Sequence, residues 1–319
     1  MTISRRLSTA RSMSLLLTAC LAAACSPGGP DVPSPGQAPA AAKPSVALDG
    51  APADALPDAL SNARLTDWLR AADGDGRTAL HRIAQHDRLD LVEALAEELK
   101  KSGHVGWTTP QIADSFGQTA LFDATSAAMV DAIIRLGFPL AVRDANQRTP
   151  LHAAVLRGNA DAAARMAARL CSEHRYGWYL GTLYDAVERR LSAPNPINWQ
   201  DDRGRTALHW AAAGGRADLI EPILRCSSAR VDVVDSGGRT ALHLAAESAV
   251  SGAVFALLKV QAEEYRDGPD APPIDAPDFN GDGPLHLACR AGRTTNASLL
   301  VRAGASRTLL NKDRLPPCQ

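Results

Sequence analysis

The chain has 319 residues, with 34 basic and 35 acidic side chains and a formal net charge of −1. Aromatics make up only 4% while alanine is abundant, a balance that suits small helices stacked closely. There is no excess of positive charge to drive binding to nucleic-acid phosphates.

In chain order, residues 1–25 read as an export signal, not as part of a fold. Arg5, Arg6 and Arg11 make a basic start, and the apolar run Met13 to Ala24 is too short to span a bilayer as a helix. Ala22-Ala23-Ala24-Cys25 resembles the lipobox of bacterial lipoproteins, and Leu17-Thr18-Ala19-Cys20 resembles one with a better leucine. Cys25 is favoured, because cleavage before Cys20 leaves a marginal apolar core after Arg11. An ordinary signal peptide with incidental cysteines is the alternative, and Ser4-Arg5-Arg6 faintly resembles a twin-arginine signal. The lipoprotein resemblance implies a diacylglycerol and an acyl chain on the mature N-terminal cysteine. With Ser26 next, not Asp, it implies sorting to the outer membrane, facing the periplasm. Several chains at ~0.8 kcal/mol per buried methylene make a lasting anchor. Residues 26–58 are rich in Pro, Ala and Gly and read as a flexible tether, with a reach on the order of 100 Å. Loss of residues 1–25 removes three Arg and no acid, leaving 31 basic against 35 acidic residues, a net charge of −4.

The segment 59–319 is expected to be one domain. It opens with a helix over Asn62 to Ala72 that reads as an N-terminal cap. A phrase then recurs: Thr78-Ala79-Leu80-His81, Thr149-Pro150-Leu151-His152, Thr206-Ala207-Leu208-His209 and Thr240-Ala241-Leu242-His243. Degenerate copies stand at Thr119-Ala120-Leu121-Phe122 and Gly283-Pro284-Leu285-His286. Five residues before each copy is an Asp (Asp73, Asp114, Asp144, Asp201, Asp235, Asp278). Three after that Asp is a Gly in every copy but one, where Gln147 stands. Asp with Gly predicts a tight turn, and the Thr predicts a helix N-cap. Apolar residues follow at helical spacing. Gly158, Gly214 and Gly292 are expected to end the first helix. A second helix is expected over Leu91 to Leu99, Met129 to Leu136, Leu219 to Leu224, Val254 to Val260 and Ser298 to Arg302.

Turn, helix, Gly, helix in units near 33 residues resembles the ankyrin repeat. The resemblance covers roughly residues 60–315. It implies an all-α solenoid of about six repeats, each a helix-turn-helix with a short β-turn finger, and a structural role for the repeat histidines in tying neighbouring turns. Asn311-Lys312-Asp313 looks like a seventh turn cut short by Pro316-Pro317. The phrases are 41, 30, 57, 34 and 43 residues apart. The 30 predicts a trimmed second repeat, with Thr125-Ser126-Ala127 in place of the inter-helix Gly, and the 57 a helical insertion in the third. Pro222 should kink or shorten its helix.

The insertion, 167–199, holds Tyr176, Trp178, Tyr179, Tyr184 and Trp199, five of the fourteen aromatics. Tyr and Trp suit interface anchors; the alternative is that they pack a long helix, Leu180 to Leu191, against the next repeat. Further partner-binding candidates are Trp210, which follows a repeat histidine, and Phe116 and Phe279 at turn tips. Arg77, Arg148, Arg205 and Arg239 form a column after the turns that would grip acidic groups or merely suit a solvated position. Cys171 and Cys226 follow Thr149 and Thr206 by 22 and 20 residues, which suits a disulfide between neighbouring helices, and Cys289 with Cys318 would staple the C-terminal end. Buried thiols are the alternative.

His86, His104 and His174 have no ligand spacing with cysteine, and there is no phosphate loop, nucleophile elbow or metalloprotease helix. Asp73-Gly74-Asp75-Gly76 lacks the glutamate of a calcium loop. No metal site, cofactor or catalytic residue is expected. The expected function is a lipid-anchored protein-protein interaction module of the bacterial envelope, monomeric, binding a protein partner through its concave face or the aromatic insertion. Its sharper form is an inhibitor or immunity protein of a periplasmic toxin or enzyme. Resemblance to some exported bacterial ankyrin proteins implies an alternative: support of periplasmic oxidative-stress defence, as an aid to a peroxidase.

Overall fold

The computed structural model describes residues 72–101, 112–176, 195–226, 228–264 and 274–318. The expected signal segment and tether, most of the expected cap helix and the expected helix at 180–191 lie outside these residues. Ala72, the last residue of that expected cap, forms an isolated antiparallel bridge with Thr78.

The described residues are helical and stack in pairs. The first repeat contributes α1 (Ala79–Gln85) and α2 (Leu89–Lys101). The second contributes a 3₁₀ turn (Ala120–Asp123) and α3 (Ala127–Arg135). The third contributes α4 (Pro150–Arg157) and α5 (Ala160–Tyr176), with a 3₁₀ turn at Pro196–Asn198. Repeats four to six contribute α6 (Ala207–Ala213) with α7 (Ala217–Leu224), α8 (Ala241–Glu247) with α9 (Gly252–Glu264), and α10 (Pro284–Arg290) with α11 (Thr294–Arg302). The core runs along the stack: Leu80 and Ile83, then Leu121 and Ile133, Leu151 and Met166, Leu208 and Leu219, Leu242 and Leu257, Leu285 and Leu300 are all buried. Each repeat buries its apolar face only against its neighbours.

The turn aspartate explains itself. Asp201 Oδ1 accepts the backbone N–H groups of Arg203 and Arg205, both at 2.9 Å. The same pair of bonds recurs at the other five turn aspartates. Asn311 makes it to Asp313 and Leu315, so the seventh turn forms with an amide in place of the carboxylate. Gln147 takes the left-handed conformation of its glycine counterparts, with φ 60°.

Gly214 ends α6 as expected, as its C-cap, with the left-handed conformation falling on Gly215. The sequence reading needs two corrections. The second repeat keeps only a single 3₁₀ turn where a first helix was expected, because Ala124 is already extended. The outer helix of the third repeat runs to Tyr176, well into the expected insertion, and buries Ala163, Met166, Ala167 and Leu170 at i, i+3, i+4 and i+7. The helix holding Pro222 continues through it and stops two residues later.

Candidate functional site

The edge formed by the turns is a continuous hydrogen-bonded ladder. The N–H of the residue after each turn Asp donates to the carbonyl two residues after the preceding one. Ser115 donates to Asp75 (2.9 Å), Ala145 to Phe116 (2.8 Å), Asp202 to Asn146 (3.1 Å), Ser236 to Arg203 (3.0 Å), Phe279 to Gly237 (3.1 Å) and Lys312 to Asn280 (3.1 Å). The register never changes.

A second line of bonds runs behind it. Each repeat histidine accepts at Nδ1 from the backbone N–H of its own repeat's first residue: Thr78, Thr149, Thr206, Thr240 and Gly283, at 3.1–3.2 Å. Nε2 then reaches forward to a carbonyl of the next turn. His81 reaches Gln118 at 2.8 Å, His152 reaches Arg205, His209 reaches Arg239 and His243 reaches Asp282 at 3.1 Å, and His286 reaches Leu315 at 3.2 Å. Acceptance at Nδ1 fixes the proton on Nε2. Burial pushes His152 and His209 down to about 4, and His243 down as well, so these imidazoles are neutral at physiological pH. They are scaffold.

Against this scaffold the candidate residues separate. Phe116 and Phe279 project from turn tips, 55% and 63% exposed. Phe279 lies across the preceding turn, its ring over Gly238 where a Cβ would collide with it. Trp210 is half-buried; its Nε1 donates to Asp201 Oδ2 at 2.8 Å, and the guanidinium carbons of Arg205 and Arg203 lie 4.6 and 5.8 Å from its ring centroid. Arg143 stacks on Trp199 at 4.4 Å, a contact the sequence did not announce. Of the other insertion aromatics, Tyr176 ends α5, and Trp178, Tyr179 and Tyr184 lie outside the described residues.

The arginine column is largely engaged within the chain. Arg77 Nη2 reaches Asp123 at 2.6 Å, while Arg205 and Arg239 share Asp235 at 3.4 and 3.0 Å. Asp123 also binds Arg157 at 3.0 Å, so arginines from the first and third repeats converge on one buried carboxylate of the second. Arg157 Nη1 donates as well to the Phe122 carbonyl. Arg148 makes no such pair.

The structure pairs Cys171 of α5 with Cys226 after α7, Cα atoms 5.5 Å apart, and Cys289 of α10 with Cys318, at 5.3 Å. Beside the first pair an open cavity of about 420 Å³ is lined by Ala164, Ala167, Ala168, Ser172, Pro222 and Arg225. Among the described residues no group of three His, Cys, Asp or Glu side chains is placed to hold a metal ion, and no helix is long and apolar enough to cross a membrane.

Residues 174–268 match the family described as ankyrin repeats (3 copies), and residues 280–312 match the ankyrin repeat. Human neurogenic locus notch homolog protein 2 is 30% identical over 156 residues, 49% of this chain and 6% of that protein. Inversin of the dog is 26% identical over 206 residues, 59% of this chain and 18% of that protein. The chain therefore spans a small part of the curated relatives it matches. The crystal structure of the ankyrin repeat domain of Bcl-3 superposes with a TM-score of 0.56 at 22% identity, covering 76% of this chain and 93% of that one; that likeness is one of fold. The described region is an all-α ankyrin solenoid, and repeats of this kind are protein-interaction modules, typically without enzymatic activity.

Proposed function

We propose that the protein is a lipid-anchored adaptor of the bacterial cell envelope, acylated at Cys25, held to the outer membrane on the tether of residues 26–58 and facing the periplasm. It acts there by binding one protein, as an inhibitor or immunity protein of a periplasmic toxin or enzyme. The observation that carries the binding role is the turn edge, where exposed Phe116 and Phe279 and half-buried Trp210 stand on a backbone held by two lines of hydrogen bonds. Anchors already held in place lose little entropy on binding. Paired cysteines suit an oxidising compartment. The test is crosslinking in intact cells followed by mass spectrometry of the envelope fraction. One stable protein partner is expected, lost with a Phe116→Ala, Phe279→Ala, Trp210→Ala triple variant. Recovery of no partner from wild-type cells overturns the proposal, and retention of the signal segment on the exported protein overturns its anchor.

A further inference from the structure

The position before each repeat phrase is filled by Arg77, Gln118, Arg148, Arg205, Arg239 and Asp282. At three of these positions the side chain bonds forward to the first residue of the next turn. Gln118 Nε2 donates to Asp144 Oδ2 at 3.0 Å, and Arg205 Nε donates to Asp235 Oδ2 at 3.4 Å. At the last junction the polarity is reversed, and Asn311 Nδ2 donates to Asp282 Oδ1 at 2.8 Å. By this register Arg148 belongs to Asp201. At Asp201, Oδ1 accepts two backbone amides, and Oδ2 accepts the indole N–H of Trp210, the oxygen that on Asp235 takes the forward-reaching Arg205. Trp210 thus makes the bond to Oδ2 that the register gives to Arg148.

Arg148 finds no substitute. Its Nε is buried without a hydrogen-bond partner, and its guanidinium forms no ion pair. The Nε atoms of Arg77 and Arg239 are buried in the same way, but their Nη groups reach Asp123 and Asp235. Arg203, one turn further on, is exposed and rests over the Trp210 ring, also without an acid. The one exposed acid on the third and fourth turns, Asp202, pairs with neither. Arg203 over the Trp210 ring and Arg148 on the turn before it thus both keep donors that no acid takes up. Guanidinium forks favour carboxylates.

We infer that Arg148, Arg203 and Trp210 form a subsite for a carboxylate, and that the protein partner inserts an Asp or Glu side chain between the third and fourth turns. The inference rests on the protein-binding reading above and names the chemistry of its partner. Trp210 is the positioning residue. By holding Asp201 it keeps Arg148 available.

The test uses fluorescein-labelled hexaglutamate as probe, read by anisotropy against the full-length protein at low salt. Wild type should bind it, and Arg148→Gln with Arg203→Gln should weaken binding at least tenfold. Arg302→Gln with Arg307→Gln, which removes the same charge from exposed residues elsewhere, should change it less than twofold. Trp210→Phe is the discriminating variant. Phenylalanine has no N–H, so Asp201 is released to Arg148, and binding should fall about as far as in Arg148→Gln although every arginine is retained. Equal losses in the two double variants, unchanged binding in Trp210→Phe, or tighter binding of oligothymidylate of the same charge would each overturn the subsite. In intact cells, a partner captured equally by wild type and the Arg148/Arg203 variant overturns the subsite and leaves the adaptor reading standing. Failure of wild type to capture any partner removes the adaptor reading, and the hexaglutamate result still decides the subsite.

Discussion

Phe122 sits where five other copies of the phrase have histidine, and its effect is felt at one atom. With no imidazole to bond, the Thr119 hydroxyl is buried and unpartnered. Thr206, by contrast, lies 2.9 Å from His209 Nδ1 and accepts the His209 amide. The same substitution should therefore act oppositely at the two sites. Thr119→Val should raise stability by up to ~1 kcal/mol, because no bond is lost and a desolvated hydroxyl is removed. Thr206→Val should cost ~1–2 kcal/mol, because a cap is lost. Urea midpoints of the two variants check this, and equal shifts would refute it. Gln147 is the other local exception. It occupies a left-handed position that its counterparts give to glycine, at a cost of ~1–2 kcal/mol for a side-chain-bearing residue. Gln147→Gly should stabilise by about 0.5–1 kcal/mol once the extra entropy of the unfolded glycine is deducted.

The second repeat is the weak element, and Asp123 compensates for it. Where the first helix shrinks to a single 3₁₀ turn, the carboxylate of Asp123 is 3% exposed and is gripped by Arg77 and Arg157 from the repeats on either side. Removing one partner of a buried ion pair costs ~3–5 kcal/mol. The arginines are 29% and 41% exposed, so Asp123→Asn should cost nearer ~2 kcal/mol. The loss should concentrate in the first three repeats, where hydrogen exchange of α1, α3 and α4 amides should speed up more than that of α10. Uniform acceleration along the stack would contradict this role. Sequence spacing signalled the trimmed repeat. It did not signal the ion network, because the three residues lie 46 and 34 positions apart and meet only once the stack forms. The same reason hid the stacking of Arg143 on Trp199 and the diversion of Asp201 to Trp210. The long α5 was missed differently: its apolar spacing was present, but the aromatic cluster beyond it drew the boundary of the insertion too early.

For the whole molecule, the line of buried histidines makes acid the natural denaturant. His152 and His209 titrate at about 4 in the fold and near 6.5 when unfolded. Between those values the unfolded chain binds protons that the fold refuses, so stability must fall as pH drops from about 6.5 to 4, by on the order of 3 kcal/mol for each histidine. Asp235 and Asp282 extend the loss to lower pH. Burial opposes their ionisation, but hydrogen bonds from Arg239 to the one, and from Asn311 and Arg290 to the other, hold both below the usual carboxylate value. Urea midpoints measured from pH 7.5 down to 4.5 should decline steadily below pH 6.5; a flat profile would contradict it. The cysteine pairs close loops of 55 and 29 residues, worth roughly 4 kcal/mol each by loop entropy. Thiol titration of the denatured exported protein should gain four groups on reduction, and four free thiols beforehand would remove both pairs. The architecture itself was legible from the recurring phrase, since every turn, histidine and inner-helix position follows from it, apart from the collapsed helix of the second repeat. The turn ladder has one further consequence. Its register is the same across the junction with 57 residues between phrases as across those with 30 or 34. Extra chain within a repeat therefore does not shift the rungs. The turn edge works as a ruler with evenly cut marks, and lengthening a loop in one repeat leaves the distance between reading heads in the others unaltered.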